Sequence, residues 1–425
     1  MDGSLVKSWS LFNHSLNLPI LSGTIPDDWQ KETCLEYHED INFQTDASVI
    51  IISCMGYDIM HAVEIAGKYK ERGKTVIFGA HVDDFSDRIL SKVCDTVFYG
   101  IPSPNEMARL LEDVSSGKYT WQYRFSFNNN FPFDYSVLKG KGMPIIQVQA
   151  SVGCKNKCNY CCASPQSISG MYKLRKIDYV IKDLKAVNKI TKYVSFIDPN
   201  IYNNRLYTKL LCKRIIGEKI KLIWGAQSTV DIGDDTEVLS LMRKSGCKIL
   251  FLGLESLEQE NLKFLNKPYD KTKYLEQVKK IKKVGIHVAG YFMFGLDFDT
   301  EESTFSIRRF VKDSRIAVPI VNVLMPVPGT KIFDNLKNEG RLLIEDSEDF
   351  LKRNPLYSVP CQTPFFIPKN MSIEILTRYY LNLVHRLYTY RQIIMRSLVR
   401  KPSEAFKILI INLELRKKYF KMKRI

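Results

Sequence analysis

Three cysteines at the spacing C-x3-C-x2-C constrain this chain more than any other feature. Cys154, Cys158 and Cys161 lie in a loop that directly follows a strand predicted at 145–149. Iron–sulfur clusters usually take four cysteine ligands, so three thiolates bind three irons of a cubane and leave one iron open. A structural zinc site would need a fourth ligand, and Cys162 cannot easily complete a tetrahedron with its neighbour Cys161. The loop therefore predicts a catalytic iron–sulfur cluster, with zinc as the alternative.

The length of 425 residues favours two domains plus an extension, and 45% hydrophobic with 25% charged residues is typical of a globular protein. The apolar runs at 49–52 and 408–413 are far shorter than the ~20 residues that cross a bilayer. Residues 1–21 lack the basic start and apolar core of a secretory signal. The chain has ten cysteines, and four of them lie between 154 and 162, which indicates metal in a reducing compartment rather than a disulfide scaffold. We therefore expect a cytoplasmic protein.

Short apolar strands alternate with helical stretches between Glu32 and Gly100, within a first domain that we assign to residues 1–118. Uninterrupted β-branched runs such as Val49–Ser53 are typical of buried parallel strands. The pattern predicts a small doubly wound domain, whose strand-end turns are where open parallel sheets bind ligands. The predicted strands are 34–37, 49–53, 75–78 and 96–99, with helices near 58–72 and 84–92.

The remaining chain divides into three parts. Residues 119–143 are aromatic and rich in Asn and Pro, which favours an interdomain linker. Over 144–340 the alternation resumes with six predicted strands, so we expect a partial (β/α) barrel with its chemistry at the carboxyl ends of the strands. Residues 341–425 are predicted to be a helical, basic extension. From His385 to Ile425, twelve Lys or Arg stand against two Glu, a charge of +10.

The motif C-x3-C-x-aromatic-C after the first barrel strand resembles the radical S-adenosylmethionine (SAM) superfamily. The resemblance implies that the open iron binds SAM and that one-electron reduction cleaves it to a deoxyadenosyl radical. The alternative for Tyr160 is an ordinary loop aromatic, and for Glu255 an acidic residue that leads a helix. The SAM contacts that the resemblance implies are Tyr160, Asp198, Glu255, Gly290 and Gly295.

Three phrases, at 241–248, 294–301 and 326–330, resemble the superfamily branch with a cobalamin-binding domain, which includes the hopanoid methylases. The implied fold is α/β: an N-terminal Rossmann-like cobalamin-binding-type domain, a partial (β/α) radical SAM barrel and the basic helical C-terminal extension. The usual first strand is missing from residues 1–31. A solvated loop histidine is the alternative for His81. The implied cobalamin contacts are Gly56, Gly79, His81 and Gly100.

The resemblance implies a cobalamin-dependent C-methyltransferase that acts on an unactivated carbon of a small-molecule or lipid-like substrate. A flavodoxin or ferredoxin is the implied reductant. One alternative is radical rearrangement, cyclisation or oxidoreduction without methyl transfer. Others are tRNA methylthiolation, as in enzymes with a second cluster, and a non-enzymatic iron–sulfur protein. No all-β RNA-binding module follows residue 340, so nucleic acid is not an expected partner.

The basic extension mixes apolar and cationic residues, as interfacial helices do. This pattern predicts peripheral contact with the inner surface of an anionic membrane, and a solvated basic face is the alternative. The apolar members are Ile393, Ile394, Leu398, Phe406, Leu409 and Leu413, and the cationic ones are Arg391, Arg396, Arg400 and Lys401.

Overall fold

The first of two parallel sheets lies near the start of the chain. In the computed structural model the described residues are 16–36, 38–54, 59–79, 87–126, 130–164, 172–344, 364–398 and 402–420. The strands of this sheet are β1 (Val49–Ile52), β2 (Thr75–Phe78), β3 (Thr96–Tyr99) and β4 (Gln122–Arg124). They are all parallel, in sequential order. The helices around them are α1 (Asn17–Thr24), α2 (Ile59–Lys70), α3 (Asp87–Leu90) and α4 (Pro104–Ser115).

Helices cover both faces of this first sheet. Side chains of α2 and α3 pack with Val76 and Phe78 on one face, and α4 packs with Ile77 and Phe98 on the other. The strand order does not reverse, so the described strands have no topological switch point, unlike the doubly wound sheet predicted from the sequence. No strand pairs with the far side of β1 among the described residues. The described residues before Val49 form α1 and turns instead.

The strand predicted at 34–37 is absent from the described residues 34–36. The Leu35 carbonyl accepts the N–H groups of His38 at 2.8 Å and Glu39 at 3.1 Å, which makes this segment a turn. Leu35 is buried but Cys34 is exposed. The segment that was predicted as a strand is therefore a turn, in which Leu35 is the buried side chain.

The segment predicted as a linker, 119–143, is folded in its described part. It supplies β4 and a short 3-10 helix at Tyr135–Leu138. Phe131 and Phe133 are buried, and the Arg175 guanidinium lies 3.7 Å from the centre of the Phe133 ring. Aromatic side chains of this size stabilise a fold by burial, so the segment joins the two sheets by packing.

Six parallel strands form the second sheet, in the order β12-β11-β10-β9-β8-β5, as the barrel prediction requires. They are β5 (Ile146–Val148), β8 (Tyr193–Phe196), β9 (Ile223–Ser228), β10 (Cys247–Glu255), β11 (His287–Phe294) and β12 (Val318–Val323). A small antiparallel pair, β6 (Ser151–Val152) and β7 (Lys173–Leu174), flanks them. The helices are α5 (Ile177–Asn188), α6 (Arg205–Gly217), α7 (Thr236–Lys244), α8 (Gln259–Phe264), α9 (Tyr274–Lys283), α10 (Glu301–Ser314) and α11 (Lys331–Asn338).

Three further helices close the edge of the second sheet: α12 (Ile373–Leu387), α13 (Tyr390–Ser397) and α14 (Pro402–Phe420). The hydroxyls of Tyr380 and Tyr419 donate to the Val321 carbonyl of edge strand β12 at 3.1 and 3.2 Å. Tyr388 donates to the carbonyl of Pro319 in the same strand. The edge is thereby protected from pairing with another strand. Among the described helices, none combines the length and apolarity that a membrane span requires.

Candidate active site

The cysteine loop leaves β6 and folds back on itself. Gly153 has a φ of 71°, which favours glycine, and Cys154 donates its N–H to the Ala163 carbonyl at 3.0 Å. Cys161 donates its N–H to the Cys158 carbonyl at 3.3 Å. These turns bring the three predicted ligands within electrostatic range of one another.

The chemistry of these thiols fits iron–sulfur ligation. Cys154 and Cys158 are buried and Cys161 is half-buried. Burial raises the pKa of Cys158 to about 11 and that of Cys161 to about 12. With these raised pKa values the thiols stay protonated at neutral pH as long as nothing binds them. Metals bind the thiolate form. Ligation to cluster irons would displace the protons and satisfy the buried sulfurs.

A single metal ion fits the described residues less well. No group of three His, Cys, Asp or Glu side chains in these ranges is arranged to hold one ion. In a cubane each thiolate binds a different iron, so the three sulfurs need not converge on one point. The arrangement therefore favours a cluster over the zinc alternative.

Asn159 fastens the cysteine loop to two neighbouring helices. Its N–H donates to the Leu265 carbonyl at 3.1 Å and its Nδ2 to the Phe264 carbonyl at 2.6 Å, at the end of α8. Its own carbonyl accepts the N–H of Ile332 in α11 at 2.9 Å. Asn266 adds a bond from its Nδ2 to the Lys157 carbonyl at 2.7 Å. The loop is therefore held rigidly at its centre, between the second and third cysteines.

Tyr160, Glu255 and Lys267 form a buried hydrogen-bonded group beside the loop. The Tyr160 hydroxyl donates to Glu255 Oε1 at 2.7 Å, and the Lys267 ammonium donates to the same oxygen at 3.0 Å. Lys267 also donates to the Gly253 carbonyl at 2.8 Å, and its side chain is only 4% exposed. Burial, followed by the Glu255 charge, holds the pKa of Tyr160 well above its usual range. Tyr160 therefore remains a hydrogen-bond donor at neutral pH.

The backbone of Glu255 is in a conformation that non-glycine residues rarely adopt. Its φ is 60°, and the pairing of β10 with β11 shifts register between Gly253 and Glu255. A Cβ atom on Gly253 would lie 2.5 Å from Glu255 Oε1 and 2.9 Å from Lys267 Nζ. Strain of this kind persists only where surrounding contacts hold it, and it is frequent at functional sites.

Asp198 lies beneath the cysteine loop. It is fully buried, and its carboxylate accepts the Ala150 N–H at 3.0 Å and the Ser151 hydroxyl at 2.5 Å. Burial raises its pKa to about 6. Both oxygens are bonded to the segment that leads into Cys154. Asp198 therefore positions this segment, and its contact with SAM stays a prediction.

Asn203 presents an unpaired donor next to the cysteines. Cys154 Sγ donates to Asn203 Oδ1 at 3.5 Å, whereas Asn203 Nδ2 is buried without a partner among the described residues. A buried donor without a partner is costly. A cluster sulfide or a carboxylate bound at the loop would supply the missing acceptor.

The two glycines predicted to contact SAM lie along and just after β11. Gly295 has a φ of 95° and donates its N–H to Asp299 Oδ2 at 2.9 Å. A Cβ atom on Gly290 would lie 2.9 Å from Leu254 Cδ1 and 3.0 Å from Ile316 Cδ1. Close packing within the protein thus accounts for Gly290, and turn geometry for Gly295.

Protein contacts also account for the described glycines of the first sheet. A Cβ atom on Gly79 would lie 1.9 Å from Cζ of Phe98, and one on Gly100, which has a φ of 90°, would lie 2.2 Å from the Phe125 carbonyl oxygen. The predicted cobalamin contacts Gly56 and His81 lie outside the described residues. The need for glycine at Gly79 and Gly100 therefore comes from neighbouring strands.

The carboxyl ends of the two sheets share one hydrophobic cluster. Cys54, which follows β1, packs in the same cluster as Met325 and Val327, which follow β12. Asn17 Nδ2 of α1 donates to the Ser53 hydroxyl at 2.7 Å at this end. A ligand held at the ends of the first sheet would therefore face the ends of the barrel strands.

The face of the second sheet turned away from α5 to α10 is apolar. Phe251 and Tyr291 lie on it with ring centroids 6.2 Å apart. Ile408 of α14 packs against Ala289 and Val318 on the same face. An apolar small molecule would find suitable partners at this aromatic pair.

Comparison with known proteins agrees with this site. Residues 148–311 match the model of the radical SAM superfamily. The bacteriochlorophyllide d C-8(2)- and C-12(1)-methyltransferases of Chlorobaculum tepidum are 24% and 28% identical, over 90% and 91% of this chain and 87% and 85% of theirs. The cobalamin-dependent SAM radical enzyme OxsB with aqua-cobalamin bound superposes with a TM-score of 0.63 at 11% identity, covering 89% of this chain and 64% of that one.

Reasoning from sequence missed Lys267, Asn159 and Asn203. Lys267 lies among several lysines between 263 and 273, a pattern typical of a solvated surface. Asn159 and Asn203 gave no signal because their partners are distant in sequence or are main-chain atoms. Only the position of Asn159 inside the cysteine motif could have drawn attention to it.

Proposed function

Because this chain contains a radical SAM domain, we propose that it is a cobalamin-dependent radical SAM C-methyltransferase. The reaction would place a methyl group on an unactivated carbon of a small-molecule or lipid-like substrate. The observation that carries the proposal is the three-cysteine loop bonded through Tyr160 to the strained Glu255 at the end of β10. The similarity to two methyltransferases over most of both chains supports methyl transfer as the reaction.

Each part of the site has a separate task in this proposal. The thiolates of Cys154, Cys158 and Cys161 would hold the 4Fe-4S cluster. Glu255, oriented by Tyr160 and Lys267, would accept hydrogen bonds from SAM. When bound, the cluster and SAM supply a carbon-centred radical, and cobalamin supplies the methyl group. The protein itself fixes the positions of these groups and excludes water.

For cobalamin, we infer a site between the carboxyl ends of the first sheet and those of the barrel. The shared cluster of Cys54, Met325 and Val327 supports this location. The N-terminal sheet would then be the cobalamin-binding domain, followed by the barrel and the helical extension. Gly79 and Gly100 would contact the corrin ring through backbone atoms, because protein neighbours occupy the space that a side chain would need at either position.

The substrate and partners follow from the same surfaces. The aromatic pair Phe251 and Tyr291 supports a largely apolar substrate. A flavodoxin or ferredoxin is the proposed reductant, since the cluster requires a low-potential electron. The C-terminal extension is proposed to contact a membrane peripherally. Radical rearrangement or cyclisation without methyl transfer is the second candidate, and no feature of the site favours it.

Anaerobic reconstitution with iron, sulfide and hydroxocobalamin tests this proposal. We expect the purified protein to gain the absorbance of a 4Fe-4S cluster and, after gel filtration, to retain the visible spectrum of cobalamin. Replacement of Cys154, Cys158 and Cys161 by Ala should remove the cluster and leave the corrinoid bound. Loss of all corrinoid on gel filtration from the wild-type protein would contradict the cobalamin part of the proposal.

A further inference from the structure

Helix α13 presents an apolar face that the described chain leaves uncovered. Tyr390, Ile394 and Leu398, the last just beyond the helix, recur every four residues, and Met395 lies beside them. These four side chains are between 54% and 70% exposed. The opposite face is buried: Ile393 is inaccessible to solvent. Of the apolar residues that the sequence analysis assigned to an interfacial helix, Ile394 and Leu398 are therefore exposed to solvent, whereas Ile393 is buried in the protein.

Helix α14 is apolar on two opposite faces. One face carries Ile408, Asn412 and Tyr419, which are buried against the second sheet. Along the other run Phe406, Ile410, Leu413 and Phe420, of which Phe406 is 62% exposed. Contacts with the sheet explain the first face. On the second face Phe420 stacks on His385, with ring centroids 4.2 Å apart, and each of its four apolar side chains stays at least 37% exposed.

The two exposed faces meet. The Arg416 guanidinium lies 4.2 Å from the ring centroid of Tyr390 and 3.8 Å from that of Phe420. Arg396 donates to Asn412 Oδ1 at 2.9 Å and fixes the helices side by side. We call the combined area the α13–α14 surface. At its end lies a groove of about 400 Å³ lined by His385, Arg386, Thr389, Tyr390, Arg416 and Phe420.

Exposed apolar side chains are concentrated on this surface. Eight of the sixteen exposed large hydrophobic residues in the described chain belong to α13, α14 and Leu398. The exposed charges on the two helices are four Lys or Arg and one acid, Glu414, and Arg386 of α12 adds a fifth exposed cation. Contiguous exposed apolar area marks an interaction site. The excess of positive charge beside this apolar area favours an anionic partner.

We propose that the α13–α14 surface docks the protein on an anionic lipid bilayer. The apolar side chains would enter the boundary between headgroups and acyl chains, and Arg386, Arg391 and Lys417 would contact the lipid phosphates. A second copy of the chain fits less well, because pairing the surface with itself would oppose like charges. This docking does not depend on the proposed reaction.

Co-sedimentation with lipid vesicles tests the docking. The full chain should pellet with vesicles of equal parts phosphatidylglycerol and phosphatidylcholine, and should stay in solution with phosphatidylcholine alone. The double variant Ile394→Glu with Phe406→Glu should bind the anionic vesicles at least about tenfold more weakly, because it puts two charges into the apolar contact. The matched control is Leu206→Glu with Leu210→Glu on α6, where the leucines are 71% and 52% exposed. This control should bind like the wild type.

The circular dichroism spectrum and the midpoint of thermal unfolding of both variants, measured without vesicles, establish that they are folded. Equal binding by the two double variants would overturn the proposal, as would equal binding of the wild type to neutral and anionic vesicles. Light scattering measures the oligomeric state and tests the alternative that the surface binds a second copy of the chain. If the wild type is a dimer that Ile394→Glu with Phe406→Glu makes monomeric, the surface binds a second copy and the membrane proposal is wrong.

Discussion

The Tyr160 hydroxyl lies 2.7 Å from Glu255 Oε1, and this bond joins the cysteine loop to the carboxyl end of β10. The two residues are 95 positions apart in the chain. Any group that binds the cysteines is thereby held at a fixed position relative to Glu255. The bond is the most direct link between the cluster ligands and the residue proposed to orient SAM.

Replacing Tyr160 with Phe tests that link. The ring and its packing remain, whereas the hydrogen bond to the carboxylate is lost. Because a bond to a charged group contributes about 1.5–3 kcal/mol, we expect SAM affinity to fall by about tenfold or more. Isothermal titration of the reconstituted protein with SAM measures this. Unchanged affinity would show that Tyr160 does not orient Glu255 for SAM.

Lys267 should matter more than its lysine neighbours. Lys267→Met leaves the Glu255 carboxylate buried without its cation, at a cost of about 3–5 kcal/mol. We expect a lower midpoint of thermal unfolding and weaker SAM binding. Lys263→Met on α8 is the control, because that side chain is 65% exposed and, within the described part of the chain, forms an ion pair only with Glu260. If the two variants behave alike, the buried pair does not hold the site.

Asp198 predicts a pH dependence of stability. Its pKa is about 6 in the folded protein, above the ordinary value of 3.8, because burial disfavours its charge. The folded state therefore holds the proton more tightly, and this contribution to stability is complete below about pH 4 and lost as the pH rises through 6. A shift of this size corresponds to roughly 3 kcal/mol.

Asp198→Asn cannot titrate at this position. The difference in thermal midpoint between the variant and the wild type should therefore move in favour of the variant between pH 4 and pH 6. Thermal unfolding followed by circular dichroism at several pH values measures this difference. A constant difference across the window would mean that Asp198 is ionised in the folded protein throughout.

Gly79 should be sensitive to even a methyl group. In Gly79→Ala the new Cβ would lie 1.9 Å from Phe98 Cζ, so the ring must move, at a cost of about 1–3 kcal/mol. Gly67→Ala, in the interior of α2 with no atom within 4 Å of its Cβ, should instead stabilise the protein by about 0.5–1 kcal/mol. Thermal unfolding distinguishes the two. Loss of cobalamin uptake in Gly79→Ala with an unchanged midpoint would show that the glycine contacts the corrin instead.

Local sequence patterns were sufficient to predict much of the fold. The β-branched runs of β2 and β3 were predicted at the bounds that the structure has, since their periodicity and turn residues are local signals. The turn at Leu35 was mistaken for a strand because its hydrogen bonds to His38 and Glu39 leave no trace in the hydrophobic pattern. The strand order of the second sheet agrees with the barrel prediction, whereas that of the first sheet was beyond reach, because it depends on which strands pair.

The site divides in the same way. The cysteine spacing is a local signal and sufficed for the cluster ligands. The contact of Gly79 with cobalamin, implied by the resemblance, stays a prediction, whereas the closeness of Phe98 on the neighbouring strand could not be predicted from the sequence. Lys267 was missed because its burial depends on contacts with β10: its ammonium donates to the Gly253 carbonyl and to the Glu255 carboxylate. Residues that act through distant partners require the structure.

Measuring the products that the protein forms from SAM tests the central claim most directly. The reconstituted protein, with cobalamin, a low-potential reductant and SAM, is assayed for 5'-deoxyadenosine and S-adenosylhomocysteine by mass spectrometry. We predict that both products form, that replacement of Cys154, Cys158 and Cys161 by Ala abolishes deoxyadenosine, and that S-adenosylhomocysteine requires cobalamin. Cys162→Ala should retain both products. Deoxyadenosine without any S-adenosylhomocysteine would contradict methyl transfer, and deoxyadenosine that survives in the triple variant would contradict the assignment of the cluster to these cysteines.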